Sequence, residues 1–504
     1  MRFLWTILLL LASLSLLSGQ SSEELNFLAG LPDGREFRDM LPSYLKRRAA
    51  SLREERRRKI EQLSGAQDVS ERKRYVRDRM LRALGGLPER TPLNARIVGV
   101  LERDDHKIEK IVFESQPRFY VTANLYLPKT GRPPYPGILF PLGHEAGAKA
   151  NSIWQQILVS LAKKGFVALA WDPIGQGERV QLYDEDFKDS KVFRSTTEHT
   201  VLGVQCLLVG DSLARYTVWD GLRALDYLLS RPEVDANRIG CTGNSGGGTH
   251  TAYLAALDDR IHVAAPSCYL TSWQRLLETI GPQDAEQCLP PWLADGLDHP
   301  DFIYAFAPKP FLMLSAIRDF FSITGARQTF EEAKRVYAHL GASEKLNMVE
   351  ADDGHGYSKP RRLAAYRWFS RWLKGIDDDQ PEPEAPIATE EELRCTASGQ
   401  VATSLGGETV SSLNRQRLEE VKRGARPASP EEVRRMIGFE RGEEPVKVRP
   451  FGQIERPGYR IEKLVFESEP GILIPSLLFI PGTALPGKKV AVIYVHGQGK
   501  AAAR

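Results

Sequence analysis

The pentapeptide Gly243-Asn244-Ser245-Gly246-Gly247 is the stretch whose residue types and spacing point most directly to chemistry. It fits G-x-S-x-G, follows a short run predicted as a strand at 239–242, and opens a helical segment. On a tight strand-to-helix turn the serine takes a strained backbone state, and glycines two before and two after keep Cβ atoms out of the crowded turn. The turn would raise Ser245 Oγ above the C-terminal edge of a sheet, where open α/β sheets receive ligands. The helix N-terminus behind it favours developing negative charge. That is the equipment for nucleophilic attack on a carbonyl. The competing reading is a plain β-turn-α junction cradling a cofactor phosphate. Two features count against it: the glycines do not give G-x-G-x-x-G, and the turn follows at least four strands rather than the first. The segment 143–149, GHEAGAK, also fails as a Walker A loop, since its spacing is wrong and no Ser or Thr follows Lys149.

A serine hydroxyl needs a general base, and the base needs an orienting carboxylate. Both are expected from loops after later strands, carboxylate first and histidine second. FLMLSA (311–316) is followed by Asp319, and LNMVEA (346–351) by Asp352, Asp353, Gly354, His355 and Gly356. Of nine histidines only His355 lies between two glycines in a late loop directly after a strand, which would permit close approach to Ser245. His339 falls in a helix and His262 in a strand, positions that suit packing or the surface. Asp352 and Asp353 compete with Asp319, but they sit so near His355 that pointing back at its ring would need a tighter turn. The predicted triad is Ser245, Asp319 and His355. The oxyanion would be met by Gly246 N–H and by an N–H of the Gly143–His144 turn, His144 preferred. A metal role for His144 with Glu145 is the lesser reading, because no other ligand stands at a recognisable spacing. No metal or organic cofactor is therefore expected.

These residues need a scaffold, and the chain supplies one between 90 and 375. IEKIVFES (108–115) and FYVTANLYLP (119–128) read as an antiparallel pair; 136–143 and 165–172 read as buried strands around an amphipathic helix at 151–164. A helix at 212–229, strands at 261–267, 309–316 and 345–351, and a closing helix near 360–374 complete the alternation. Strands recurring between helices argue an α/β fold with a mostly parallel sheet covered on both faces. Upstream, 21–89 is a charged helical extension. Glutamates interleave its basic runs, and Leu52, Ile60, Leu63, Val76 and Leu81 give an apolar side, so it reads as helices resting on the next domain rather than a nucleic-acid patch.

The stretches WDPIGQGER (171–179), VDANRIGCTGNSGGG (234–248), RDFFS (318–322) and DDGHGYS (352–358) resemble the α/β-hydrolase superfamily. More narrowly they are similar to the acetyl xylan esterase and cephalosporin-C deacetylase type, with dienelactone hydrolases as cousins. The resemblance implies an α/β-hydrolase fold, the triad above, and a D-x-x-G-x-G turn of Asp172, Gly175 and Gly177 beneath the site. It implies an ester substrate, with acetylated plant polysaccharide the foremost candidate. The chain departs from the deacetylase pattern in carrying Gly246 where that family usually has Gln. A prolyl-oligopeptidase-like peptidase is the nearest alternative, although the N-terminal extension is too short for the β-propeller such enzymes carry. A silent carbohydrate-binding or scaffold module is a second alternative.

Segments 268–304 and 180–205 read as insertions over the site. Tyr269, Trp273, Trp292, Phe302 and Tyr304 are expected in the core of the first more than in a sugar platform; Arg179, Arg194 and His199 could meet a polar substrate. The 504 residues carry 68 Lys+Arg against 65 Asp+Glu, a balance that provides no field for gathering nucleic acid. Residues 1–20 read as a signal peptide, since the apolar run from Phe3 to Leu17 is short for a bilayer and small residues follow. A secreted or periplasmic protein without a stable membrane span is expected. Five cysteines cannot all pair, and Cys241 reads as a buried thiol in a central strand.

Residues 376–440 are acidic, Pro-rich and expected as an exposed linker and connecting segment. Beyond it, IEKLVFES (461–468) repeats IEKIVFES (108–115) with one difference, and VAVIYVHG (490–497) takes the place of PGILFPLG (136–143). A partial second copy of the same domain is thus expected at 441–504.

Overall fold

The computed structural model describes Leu25, Phe27, residues 37–439 and, beyond them, 442, 445–483, 487, 490–497 and 499. The expected signal peptide at 1–20 lies outside the described residues. The chain forms two compact units, one of Ala49–Arg426 and one of Met1–Arg48 with Pro427–Arg504. Among the described residues no helix is long and apolar enough to cross a membrane.

The larger unit is built on a nine-stranded sheet. Its strands are β1 (Arg96–Glu102), β2 (His106–Gln116), β3 (Phe119–Pro128), β4 (Tyr135–Phe140), β5 (Val167–Trp171), β8 (Val234–Asn244), β9 (Val263–Ser267), β10 (Phe311–Ala316) and β11 (Leu346–Ala351). The two remaining strands of this unit, β6 (Tyr183–Asp184) and β7 (Asp189–Ser190), make a separate small hairpin. The order β1-β2-β3-β5-β4-β8-β9-β10-β11 is antiparallel through β5 and parallel from there on. Every residue of β4, β5, β9 and β10 is buried, as continuous apolar runs covered on both faces should be. The chain enters at β4, steps outward to β5, then crosses back to β8 on the other side. The loops after β4 and β8 therefore open at the point where strand order reverses, which is where ligands enter such sheets.

Strand β1 was not expected. Five of its seven residues are exposed, so it lacks the buried alternation that marks a half-covered strand. Helices α1 (Met40–Glu61) and α2 (Ala66–Ala83) form the N-terminal extension, and Ile60, Val69, Val76 and Met80 enter the core beneath the sheet. Leu81, expected on that apolar side, is exposed. Gly85 and Gly86, at φ +71° and +79°, end α2 with N–H bonds back to Arg82 and Leu81. The extension is locked on by a buried ionic cluster: Arg56 and Arg72 both hold Asp301, and Arg56 also holds Glu332.

The segment expected as an exposed linker instead lies along the larger unit, which runs to Arg426. The Glu382 carboxylate takes two hydrogen bonds from Arg362, at 2.7 and 2.6 Å. The Gln155 side chain brackets the Ala388 backbone, and Leu393 is fully buried. Glu178 accepts from Cys395 N and Thr396 N. A composition argument counts only apolar side chains; here polar groups of the body satisfy the strap's backbone.

In the smaller unit, β12 (Val448–Arg456), β13 (Tyr459–Glu469) and β14 (Ile472–Pro481) form an antiparallel meander. Its register reproduces the first copy: Val112 faces Thr122 as Val465 faces Pro475, and the bulge at Glu114/Gln116 recurs at Glu467/Glu469. The next element does not recur. Residues 490–497 form no strand, and Val490, Val492, Ile493 and Val495 are almost wholly exposed. In the first copy, β4 is flanked by β5 and β8. Both come later in the chain than β4 itself.

Candidate active site

Ser245 sits between β8 and helix α6 (Gly246–Leu257) at φ 60°, ψ −121°, a strained conformation for a residue with a side chain. The neighbouring glycines are demanded by contact. A Cβ on Gly243 would stand 2.3 Å from Pro141 O, and one on Gly247 2.2 Å from the same oxygen. Ser245 N–H donates to Ser267 O at 2.9 Å, which ties the turn to the end of β9.

The structure brings Asp319 and His355 together. His355 Nδ1 lies 2.9 Å from Asp319 Oδ1, with the carboxylate buried and the ring one-quarter exposed. Burial pushes the Asp319 carboxyl upward, but hydrogen bonds from His355 and Cys268 outweigh it and hold the group below its ordinary value. The rival carboxylates are engaged elsewhere: Asp352 is exposed beside Arg318, and Asp353 takes a 2.9 Å bond from Arg361. Backbone bonds from Ile317 N to Ala351 O and Arg318 N to Asp353 O join the loops after β10 and β11. The His355 loop is in turn tied to the Ser245 elbow. Tyr357 Oη lies 2.7 Å from Thr242 Oγ1, and the Asn244 amide, with its nitrogen turned inward, donates to Gly356 O at 2.8 Å. The flanking glycines matter less than expected. A Cβ at Gly354 or Gly356 would meet nothing within 4 Å, although Gly356 needs its φ of +142°.

The Gly143–His144 turn lies against the same elbow, where a Cβ on Gly143 would come within 3.4 Å of Ser245 Cβ. Gln176, inside the D-x-x-G-x-G turn, donates to Gly143 O at 2.8 Å and to Glu145 O at 3.1 Å. A trans peptide points its C=O and N–H oppositely, so pinning the Gly143 carbonyl also fixes the His144 N–H. That N–H has no acceptor among the described residues. Gly246 N–H belongs to the first turn of α6, whose amides lack intrahelical partners. Asp172, Gly175 and Gly177 shape the turn as expected: Asp172 accepts from Thr122 and Lys149, and both glycines have positive φ.

The remaining candidates divide between core and surface. Tyr269, Trp273, Trp292, Phe302 and Tyr304 are buried in the core. Arg179 is buried against Asp220, and only Arg194 of the 180–205 polar candidates reaches solvent. His262 accepts a bond from Ile239 N, and His339 ends helix α9, Ile323–His339, where α7 is Trp273–Glu278 and α8 Pro300–Phe306. The aromatic rings beside His355 are Phe320 and Phe321, with centroids 4.2 and 5.9 Å away, and Phe320 is exposed. Both lie in the RDFFS stretch (318–322), where spacing alone gives neither ring a part.

His144 also meets partners that the sequence did not signal. Its Nε2 lies 3.0 Å from Asp284 Oδ2 and 2.9 Å from Glu286 Oε1, whereas Glu145 is exposed. Burial pushes the His144 imidazole down, but the two carboxylate charges raise it to about 10. The ring fills the space above Gly246: a Cβ there would stand 2.7 Å from His144 Cε1. That accounts for glycine at a position where a Gln side chain would collide.

A parallel sheet carrying a strained serine at its order reversal, with a histidine–aspartate pair on later loops, defines an α/β hydrolase. The sequence profile described as acetyl xylan esterase matches residues 100–293. The "Putative hydrolase YtaP" of Bacillus subtilis (strain 168) is 27% identical over 314 residues, 59% of this chain and 98% of that protein. Among solved structures, Methylesterase BT1017 superposes with a TM-score of 0.58 at 23% identity, covering 74% of this chain and 81% of its own. The chain has the α/β-hydrolase fold, and its residues 100–293 are similar to the acetyl xylan esterases.

Proposed function

We propose that the protein is a serine carboxylic-ester hydrolase that removes acetyl groups from polysaccharide or oligosaccharide, with Ser245 as nucleophile, His355 as general base and Asp319 as its orienting carboxylate. The observation that carries this reading is the Asp319–His355 pair on a loop tied to the Ser245 elbow through Tyr357 and Asn244. Asp319 holds the proton on Nδ1, which leaves Nε2 to take the proton from Ser245 Oγ as it attacks the ester carbonyl. The His144 and Gly246 N–H groups receive the oxyanion. His355 then protonates the departing alcohol, and water repeats the steps on the acyl-enzyme to release the acid. The exposed Phe320 ring beside His355 suits the face of a sugar, and the profile match to acetyl xylan esterases supports the acetyl group. Export, inferred from residues 1–20, belongs to the same proposal because a polymer substrate lies outside the cell.

The test is a panel of acetylated xylan, small acyl esters, a methyl-esterified polyuronate and aminoacyl amides, run with Ser245→Ala as control. Acetate release that vanishes in the variant supports the reading. Preferential methanol release would replace the substrate, and amide cleavage alone would favour the peptidase.

A further inference from the structure

We infer that His144, His199, Asp284 and Glu286 form a site for a divalent cation of the zinc class, which binds the loop after β4 to helix α4 (Thr196–Leu208) and to the insertion at 284–286. Four donor atoms, one from each residue, lie within 4.8 Å of one another. His199 Nδ1 is 2.8 Å from Asp284 Oδ2, the oxygen that also stands 3.0 Å from His144 Nε2. Donors about 2.1 Å from one tetrahedral metal stand about 3.4 Å apart, and His144 Nε2 lies 3.0 and 2.9 Å from its two carboxylate oxygens, close enough to share an ion after a small shift.

The hydrogen bonding argues for a cation rather than paired ions. His199 Nε2 lies 2.7 Å from Ile174 O, and a carbonyl only accepts, so Nε2 carries the proton. The nitrogen turned toward Asp284 is therefore Nδ1. A histidine whose far nitrogen is fixed by a backbone carbonyl is the usual arrangement at a metal. His250 repeats it: Nδ1 bonds Gly246 O at 2.8 Å, and Nε2 faces Glu286 Oε2 at 3.5 Å. His144 Nε2 has both carboxylates within 3.0 Å but makes no hydrogen bond to either. Glu286 Oε2, on a fully buried side chain, also has no hydrogen-bond partner. Two nitrogens and two oxygens are a donor set that suits zinc.

The residues come from three separate stretches of chain. Filling the site would fix His144, whose backbone N–H faces the oxyanion and whose ring covers Gly246. The inference does not depend on the esterase reading, and its test is read without turnover. Protein purified without a histidine tag or chelator should hold about one equivalent of metal by elemental mass spectrometry. Chelator-stripped protein should take up Zn²⁺ saturably at one per chain, raising the thermal midpoint, and Co²⁺ should give a visible ligand-field spectrum. His199→Ala and Glu286→Gln should each weaken Zn²⁺ binding at least about 100-fold, while His339→Ala should not. Wild-type protein without saturable uptake overturns the site regardless of how the variants fold. Unchanged affinity in a folded His199→Ala would overturn it as well.

Discussion

The chain writes the same opening twice, and the apolar run that follows it differs between the two copies. Residues 96–128 and 448–481 fold into the same three-stranded meander, down to a shared register and bulge position. In the first copy the next apolar run becomes β4, buried at every residue; in the second, 490–497 stays exposed and forms no strand. An antiparallel meander is held by neighbours close in sequence, so the local pattern is enough. A buried parallel strand needs partners from distant sequence on both sides. The candidate catalytic residues of the first copy stand on those distant partners.

The sharpest way to break this comparison is at the site. Ser245→Ala should lower kcat by at least about 10⁵-fold in a protein with unchanged circular dichroism. Asp319→Asn should cost about 10⁴-fold, measured as kcat/KM on a small acetyl ester. Because Asp319 is held below the usual carboxylate range, its own protonation should leave no limb in the wild-type rate profile at neutral or mildly acidic pH. The sign for stability is the same. Its contribution is full above the unfolded carboxylate pKa and is lost as pH falls through the lower folded value.

Matched substitutions sharpen the comparison. Ile108 and Ile461 occupy equivalent positions in β2 and β13, and both are buried. Ile108→Asp buries a charge beneath the catalytic sheet and should destabilise the larger unit by more than about 4 kcal/mol, seen as lost soluble yield and activity. Ile461→Asp should leave kcat/KM within about twofold while speeding amide exchange at 459–481. The smallest effect expected is in the wild type: amides of 490–497 should exchange at nearly the unprotected rate, whereas those of β4 should be among the slowest.

What could be read from sequence was whatever is written locally. The elbow carries its own glycines, the strands announce themselves as apolar runs, and Asp319 and His355 each follow a recognisable strand. The repeat could be found because its eight residues are nearly identical. The exposed β1 gave no periodic signal. The strap at 376–396 read as linker because its anchors, Gln155, Glu178 and Arg362, lie far upstream. The His144 cluster joins residues 144, 199, 250, 284 and 286, and no spacing rule connects them. Its one trace was the pairing of Asp284 and Glu286, separated by a single residue, in the 268–304 insertion.

The most direct measurement is to label the wild-type protein with a fluorophosphonate and map the adduct by peptide mass spectrometry. The account predicts a single adduct on Ser245, with labelling lost in Ser245→Ala and strongly slowed in His355→Ala. An adduct on another residue, or labelling that persists in Ser245→Ala, would contradict it.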